Sequence, residues 1–545
     1  MSGSINVIDV ATLAIYFIIV LGIGIFKGRG KRSDTKTFFV ARGTFPWWVI
    51  AAAFVATGMN TEQLVGLNGQ AYKIGLPLLN WDFICVAVYS ILIFIFLPVY
   101  MRSGIMTMPE YLGRRFDRKS QDVFTVILIL SYVFMNLAVI FYGGAKLLEG
   151  VFGLNIWIGV LLIGIVAGLY TMYGGMSSAA YAAVFQFGLI FISGFYLMYL
   201  AWKQLPGSWL DGWNAVKANA PCGFHLFKGP DYPEIPWQAV PLTILGIHLY
   251  YSCVNQSLVQ GCFGAKTEWD ARIGLITAGF FVILRPFVEF FPGLFCRAIQ
   301  LVNPAFDMSQ LGVDDVLPRM ISLLVPAGFQ GLILIGVLAS VMSTISALLN
   351  CISTLFTMNV YKRWFEPMAD EKKLVKVGTI ATCFLMLFSI GFSPCIGIIG
   401  GGIFKYFQTL ASYVTVPLAT VFLIGILWKR ATPAAAFTIL IGGIPLGLLV
   451  TYLVPKCFSP ELIQHWSLSN PFIIGAMTQV ICVILMIAIS LVTKPKPIEE
   501  IRPLTFTPSM LRLPAGEPRR PFFASVPFWW MIFVLFYTAI YIYLW

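Results

Sequence analysis

Runs of roughly twenty apolar residues, the length needed to cross ~30 Å of hydrocarbon as a helix, recur along this chain with short polar segments between them. Within a bilayer only helices and closed barrels satisfy their own backbone, so this feature restricts the fold before anything else does. The runs lie near 7–26, 46–67, 77–99, 122–142, 154–173, 181–201, 237–257, 273–296, 318–360, 374–394, 402–428, 433–454, 471–493 and 526–544. That predicts about fourteen transmembrane helices in an all-α polytopic membrane protein. The run at 318–360 is too long for one perpendicular span, so its start reads as a short outside helix and the span proper begins near Gly328. Composition agrees: 11% of the 545 residues are charged and 59% are hydrophobic, whereas soluble domains carry about 25% charged residues. Soluble domains, coiled coils and disordered chains are excluded.

The formal net charge of +12 could suggest nucleic acid. The basic residues instead sit in alternate loops: 27–45, 100–121, then Lys266 and Arg272, then 362–376, then Lys429 and Arg430, and finally 494–525. Such alternation is an orientation signal. It predicts both termini outside, a lipid bilayer as partner and no nucleic acid. Loop 174–180 is neutral and uninformative. No small-residue cleavage site follows the first run, so no removable leader is expected. The outside loops hold no N-x-Ser/Thr acceptor, which favours a bacterial inner membrane. The ten cysteines show no metal spacing. Cys222 and Cys457 fall in outside loops, where one bridge is conceivable.

Polar side chains inside membrane spans are costly and call for a reason. The second run carries Thr57-Gly58-Met59-Asn60-Thr61-Glu62-Gln63 at its centre. A glycine-interrupted polar centre predicts a discontinuous helix whose freed carbonyls line a cavity; the alternative is a buried helix with polar packing. Asp82 lies in the third run, and His248, Tyr250, Tyr251, Asn255 and Gln256 in the seventh. Arg285 and Glu289 are spaced i, i+4 and read as a structural ion pair. Ser340, Ser343 and Thr344 share one face of the ninth. That face serves either close helix packing or a hard cation, which needs several oxygens. Two hydroxyls and a carbonyl, joined by carbonyls of the broken second helix, would supply five neutral ligands. The run Gly397–Phe404 lacks the Lys-Ser/Thr of a phosphate loop, and "MPEYLGRRFD" reads as an inside surface helix.

From about residue 7 to about 430 the chain resembles the sodium/solute symporter family, nearest its sodium–glucose cotransporter branch. The resemblance is carried by "FPWWVIAAAF", "NTEQLVGLNGQAYKIGL", "GIMTMPEYLGRRF", "MYGG", "ASVMSTISALLNCISTLFTMNVY" and "YFQTLASYVTVPLATVFLIGILWKR". It implies a LeuT-type fold of two inverted five-helix repeats. Here these would be 46–201 and 237–428, preceded by one helix in 1–45, joined by an outside loop 202–236 and followed by three helices in 429–545 with a basic inside linker near 494–525. The first helix of each repeat would break near the midplane.

Carried over by position, a sodium ion would be held by carbonyls of Ala56, Met59 and Ser340 and by hydroxyls of Ser343 and Thr344. Substrate would meet Gln63, Asp82, Cys85, His248 and Gln408, with Leu67, Trp81 and Phe404 at the outer gate and Tyr251 at the inner one. Cys85 replaces a serine, His248 a polar Asn or Thr, and Val282 a sugar-contacting lysine, so the solute is a sugar or a related polyol. Ala183 stands where some members have an aspartate of a second sodium site. The implied function is sodium-coupled symport, with no covalent chemistry. Two alternatives stay open: a sensor or uncoupled facilitator, and a symporter of a carboxylate or amino acid. Oligomeric state is left open.

Overall fold

A computed structural model describes residues 7–28, 41, 43–221, 223–326, 328–399, 402–518 and 520–545. The basic positions Arg29, Lys31, Arg32, Lys36, Arg42 and Arg519, the bridge candidate Cys222 and glycines 400–401 lie outside the described residues. Cys457 is a free, exposed thiol.

The described residues are mostly helical, with an isolated bridge between Phe45 and Ala265 as their one β feature. In chain order the helices are α1 (Val7–Gly28), α2 (Trp47–Gly58), α3 (Glu62–Leu67 as a π turn, then Asn68–Ile74), α4 (Leu76–Ser103), α5 (Met108–Arg115), α6 (Arg118–Phe152), α7 (Ile156–Trp202), α8 (Trp209–Asn219) and α9 (Val240–Val254). There follow α10 (Gln256–Phe263), α11 (Glu268–Val282), α12 (Phe291–Ile299), α13 (Val316–Leu324), α14 (Gln330–Phe365), α15 (Glu371–Cys395), α16 (Ile403–Leu427), α17 (Pro433–Cys457), α18 (Pro471–Val492) and α19 (Val526–Leu544). Among the described residues, nine helical stretches are long and apolar enough to span a membrane by themselves. The expected count of fourteen is not established by length, because α1, α2, α9 and the first part of α7 are shorter apolar segments and α11–α12 is interrupted.

One expected loop is absent. Residues 174–180 are helical, and α7 runs unbroken from Ile156 to Trp202. The segment Tyr173–Ala180 holds two glycines but no Pro, Asn or Asp, and a glycine costs a helix only ~1 kcal/mol.

Helix α14 is the centre of the bundle: every residue from Ile333 to Leu355 is buried. Its N-terminus is held by buried Asp9 of α1, whose carboxylate accepts from the backbone N–H of Gly328 at 3.1 Å and Gly331 at 2.7 Å. Such a cap satisfies the free donors of a helix start. The outer helices α15, α17, α18 and α19 expose Phe384, Leu448, Ile484 and Leu535, as lipid-facing surfaces require.

The 494–525 segment, read as a linker, is strapped to the bundle. Phe506 N–H donates to Ile426 O at 2.9 Å, Arg272 donates to Leu511 O at 3.0 Å, and the Glu517 carboxylate accepts from Glu268 N–H at 2.7 Å. Helix α5 is also more than a surface helix. Its Arg115, counted in the sequence as an orientation charge, is buried and donates to the carbonyls of Gly425, Trp428 and Ala431 at 2.8, 2.9 and 3.2 Å. It thereby caps the C-terminal end of α16.

Candidate functional site

Two helices are interrupted beside one cavity, and in both an asparagine restarts the chain. Helix α2 ends at Gly58, Met59 is extended (φ −96°, ψ 108°), and Asn60 Oδ1 accepts from the N–H groups of Glu62 at 2.9 Å and Gln63 at 3.3 Å. Helix α9 ends at Val254, Asn255 is extended (φ −66°, ψ 115°), and its Oδ1 accepts from Ser257 N–H at 3.1 Å and from the Tyr132 hydroxyl at 2.5 Å. Asparagine is favoured at such restarts because its side chain replaces missing helical acceptors. The carbonyls released at the end of α2 have no helical donor and carry the negative end of its dipole.

Those carbonyls face the hydroxyl face of α14. Ser343 Oγ lies 2.8 Å from Ala56 O and 2.9 Å from Ser340 O. Thr344 Oγ1 lies 3.2 Å from Ser340 O, 3.5 Å from Met59 O and 3.0 Å from Thr57 O. Ser340 Oγ donates to Met59 O at 2.6 Å. The five oxygens expected to hold sodium are therefore linked by contacts of 3.5 Å or less, on residues that are all buried. Their chemistry fits a hard monovalent cation: neutral oxygens only, with dipoles pointing inward.

Next to this cluster lies a buried cavity of about 90 Å³, whose wall includes Thr57, Thr344, Asn60, Glu62, Gln63, Trp81, His248, Tyr251 and Arg285. Four of these groups end in buried polar atoms without a hydrogen-bond partner among the described residues: Gln63 Oε1, His248 Nε2, the Tyr251 hydroxyl and Arg285 Nε. Leaving such groups unpaired costs about 1–3 kcal/mol each, so the wall is built for a ligand rich in hydrogen-bonding groups. Trp81 meets His248 edge-on (centroids 4.5 Å) and Phe404 (5.8 Å), while Tyr251 stacks on Phe407 (5.8 Å).

Not every expected contact lines this cavity. Asp82 lies behind Arg285, 3.2 Å from its Nη1. Cys85 donates to the Tyr537 hydroxyl at 3.1 Å. Gln408 donates from Nε2 to Glu62 Oε1 at 2.5 Å, its own Oε1 left unpartnered. With Phe404 it borders a second cavity of about 60 Å³, walled also by Pro233–Ile235 of the long polar segment. Leu67 is fully buried and away from both cavities. Phe404 packs against Gly66, where an added Cβ would lie 2.9 Å from the Phe404 Cβ.

Two wall residues had been given no binding role from sequence. Glu62 was seen only as part of a polar centre. Arg285, read as half of a structural pair with Glu289, does pair with it at 2.9 Å but also bridges to Asp82 and faces the cavity. No local pattern signals a partner 203 positions away in the chain.

A narrow cavity of about 30 Å³ lies on the other side of Ser343, lined by Phe45, Thr57, Ala179, Ala183 and Ser346 among others. Outside the membrane-spanning helices, Asp314 caps α16, accepting from Ile403 N–H at 3.1 and 3.0 Å. Burial pushes its carboxyl up from 3.8 to about 6.

The sequence pattern of the sodium:solute symporter family matches residues 38–443. A sodium/glucose cotransporter of Vibrio parahaemolyticus is 30% identical over 465 residues, 82% of this chain and 85% of that relative. A sodium/myo-inositol cotransporter of Canis lupus familiaris is 30% identical over 541 residues, 91% of this chain and 75% of the relative. Among solved structures, a substrate-bound, outward-open Na+-coupled sialic acid symporter superposes with a TM-score of 0.78 at 19% identity, covering 90% of this chain and 99% of that one. The nucleobase-cation-symport-1 transporter Mhp1, closed on bromovinylhydantoin, superposes at 0.54 with 13% identity, covering 86% and 99%. At these identities the two structures speak for the fold.

Proposed function

Because this chain belongs to the sodium:solute symporter family, we propose that it is a sodium-coupled carrier importing a sugar or related polyol by alternating access. Its fold is the all-α, LeuT-type bundle of multi-pass membrane transporters. The observation that carries the reading is the meeting of five neutral oxygens from α2 and α14 with a buried cavity that ends in unpaired amide, imidazole and phenol groups. Sodium bound to Ala56, Met59, Ser340, Ser343 and Thr344 would draw the end of α2 onto α14. Thr57 and Thr344 also border the solute cavity, so the ion shapes the wall that the solute touches.

In this reading Gln63, His248 and Tyr251 contact the solute. Asp82 and Gln408 act through Arg285 and Glu62 until a larger solute reaches them, and Cys85, hydrogen-bonded to Tyr537, stands outside the wall. Trp81 and Phe404 close the outer side with Leu67 behind them, and Tyr251 closes the inner side. The halves 46–201 and 237–428 move against each other, with one helix before them and three after. The membrane is a bacterial inner membrane. Each sodium crossing a ~100 mV potential contributes about 2.3 kcal/mol, and the solute is released chemically unaltered.

Purified protein in proteoliposomes, offered a panel of labelled hexoses and cyclitols with and without an inward sodium gradient, tests this. Accumulation above equilibrium with sodium alone is expected. Equal uptake without sodium would make the protein a facilitator.

A further inference from the structure

Where α11 ends, Ile283–Arg285 form a turn before the short helical segment Pro286–Glu289. Pro286 has no N–H to continue a helix, and the interruption delivers Arg285 to the solute cavity. Its guanidinium has a fixed fork of donors. One terminal nitrogen pairs with Asp82 at 3.2 Å and the other with Glu289 at 2.9 Å, and both carboxylates are wholly buried. Of the N–H groups that remain, the one on Nε is buried with no partner among the described residues. An arginine kept only for packing would have no cause to face a cavity with a free donor. Glu62 on the same wall adds a further carboxyl group.

Resting on the sodium-coupled sugar or polyol reading above, we propose that Arg285 is the specificity-determining residue of the solute site. Its charge is consumed by Asp82 and Glu289, and its Nε–H binds a hydroxyl oxygen. With the guanidinium already paired, a solute carboxylate would be buried without a free counter-charge, a costly arrangement where water is excluded. A hydroxyl suits both kinds of group, because it donates to carboxylates and accepts from the guanidinium. The site therefore takes neutral rings and rejects the matching uronic acids.

The test is competition and transport in proteoliposomes, using labelled neutral hexoses and cyclitols against their uronic acids. In the unmutated protein the acid should compete at least about tenfold more weakly than its neutral parent, the cost of one misplaced charged partner. A uronic acid that competes as well as its parent overturns the proposal without any variant. Arg285→Lys keeps the charge but loses the fork. It should raise KM for the neutral solute about tenfold, with half-saturation for sodium unchanged and the acid still rejected. The triple variant Asp82→Asn, Arg285→Gln, Glu289→Gln removes the buried charges together and should narrow the gap between neutral and acidic solutes. Wild-type KM and ranking in both variants would reduce Arg285 to a structural role. Wild-type protein that accumulates no hydroxylated solute with sodium would sink the underlying reading and this inference with it; sodium-driven uptake with unmoved ranking sinks the inference alone.

Discussion

Ser343 touches Ala56 O and Ser340 O at the same time, so removing its hydroxyl takes one oxygen from the cation cluster and a donor from α2. A bond to a charged group is worth ~1.5–3 kcal/mol. Ser343→Ala, and likewise Thr344→Ala, should therefore raise the sodium concentration for half-maximal uptake about tenfold while leaving solute ranking intact. An unchanged sodium dependence in both would remove these residues from the site. The imidazole of His248 predicts the reverse. It stands against Trp81 with Nε2 unpartnered and touches none of the five cation oxygens. His248→Ala should reorder preference across a solute panel and leave the sodium dependence alone. The hydroxyl face of α14 was legible in the sequence because i, i+3, i+4 spacing is a local property. The setting of Arg285 was not, because its charge is shared with a residue on another helix. Gln408 shows the same limit: the resemblance implied a solute contact, yet only packing puts Glu62 in front of it.

At the scale of helices, the interruptions at Met59 and Asn255 are stabilised by single side chains. Asn60→Ala and Asn255→Ala each remove a cap worth ~1 kcal/mol and should lower the thermal midpoint of the purified protein; Asn255 also loses Tyr132 and should cost more. Helix α16, which carries Phe404 and Gln408, begins on Asp314. Its carboxyl is raised from 3.8 to about 6 because burial disfavours the charge. A raised acid favours the folded state while protonated, so this contribution is full below pH 3.8 and is lost as pH rises through about 6. Asp314→Asn keeps an acceptor for Ile403 without a titrating charge. The difference in thermal midpoint between parent and variant should change across that window and be flat at either side. A difference constant from pH 3 to 8 (a range of about five units, spanning both values) would contradict it. The break at Met59 was readable from glycine beside polar residues inside an apolar run, whereas the one at Asn255 followed only from the family resemblance. The unbroken α7 was not, because the gap between two apolar runs at 174–180 reads as a loop although nothing in it stops a helix.

For the molecule as a whole, coupling follows from how many cations the bundle can hold. The narrow cavity beyond Ser343 is lined by Ala183, a methyl at the place where the family resemblance would put a carboxylate, and among the described residues no cluster of acidic, Cys or His ligands offers another metal site. One sodium per solute is the expected ratio, with a Hill coefficient near one, as follows from a single independent site. Reversal potentials in proteoliposomes measure it, and two sodium ions per solute would reveal a site elsewhere. The cation cluster has one more consequence, for unloading. The Ser343 and Thr344 hydroxyls already donate to carbonyls of α2 and α14. Capture of the ion is thus an exchange: two O–H protons swing aside, lone pairs turn inward, and bonds worth ~1 kcal/mol each give way to ion contacts. When sodium departs into a dilute cytoplasm the protons swing back, no carbonyl is stranded dry, and α2 remains tethered to α14. A carrier wired this way discharges its ion without first having to come apart.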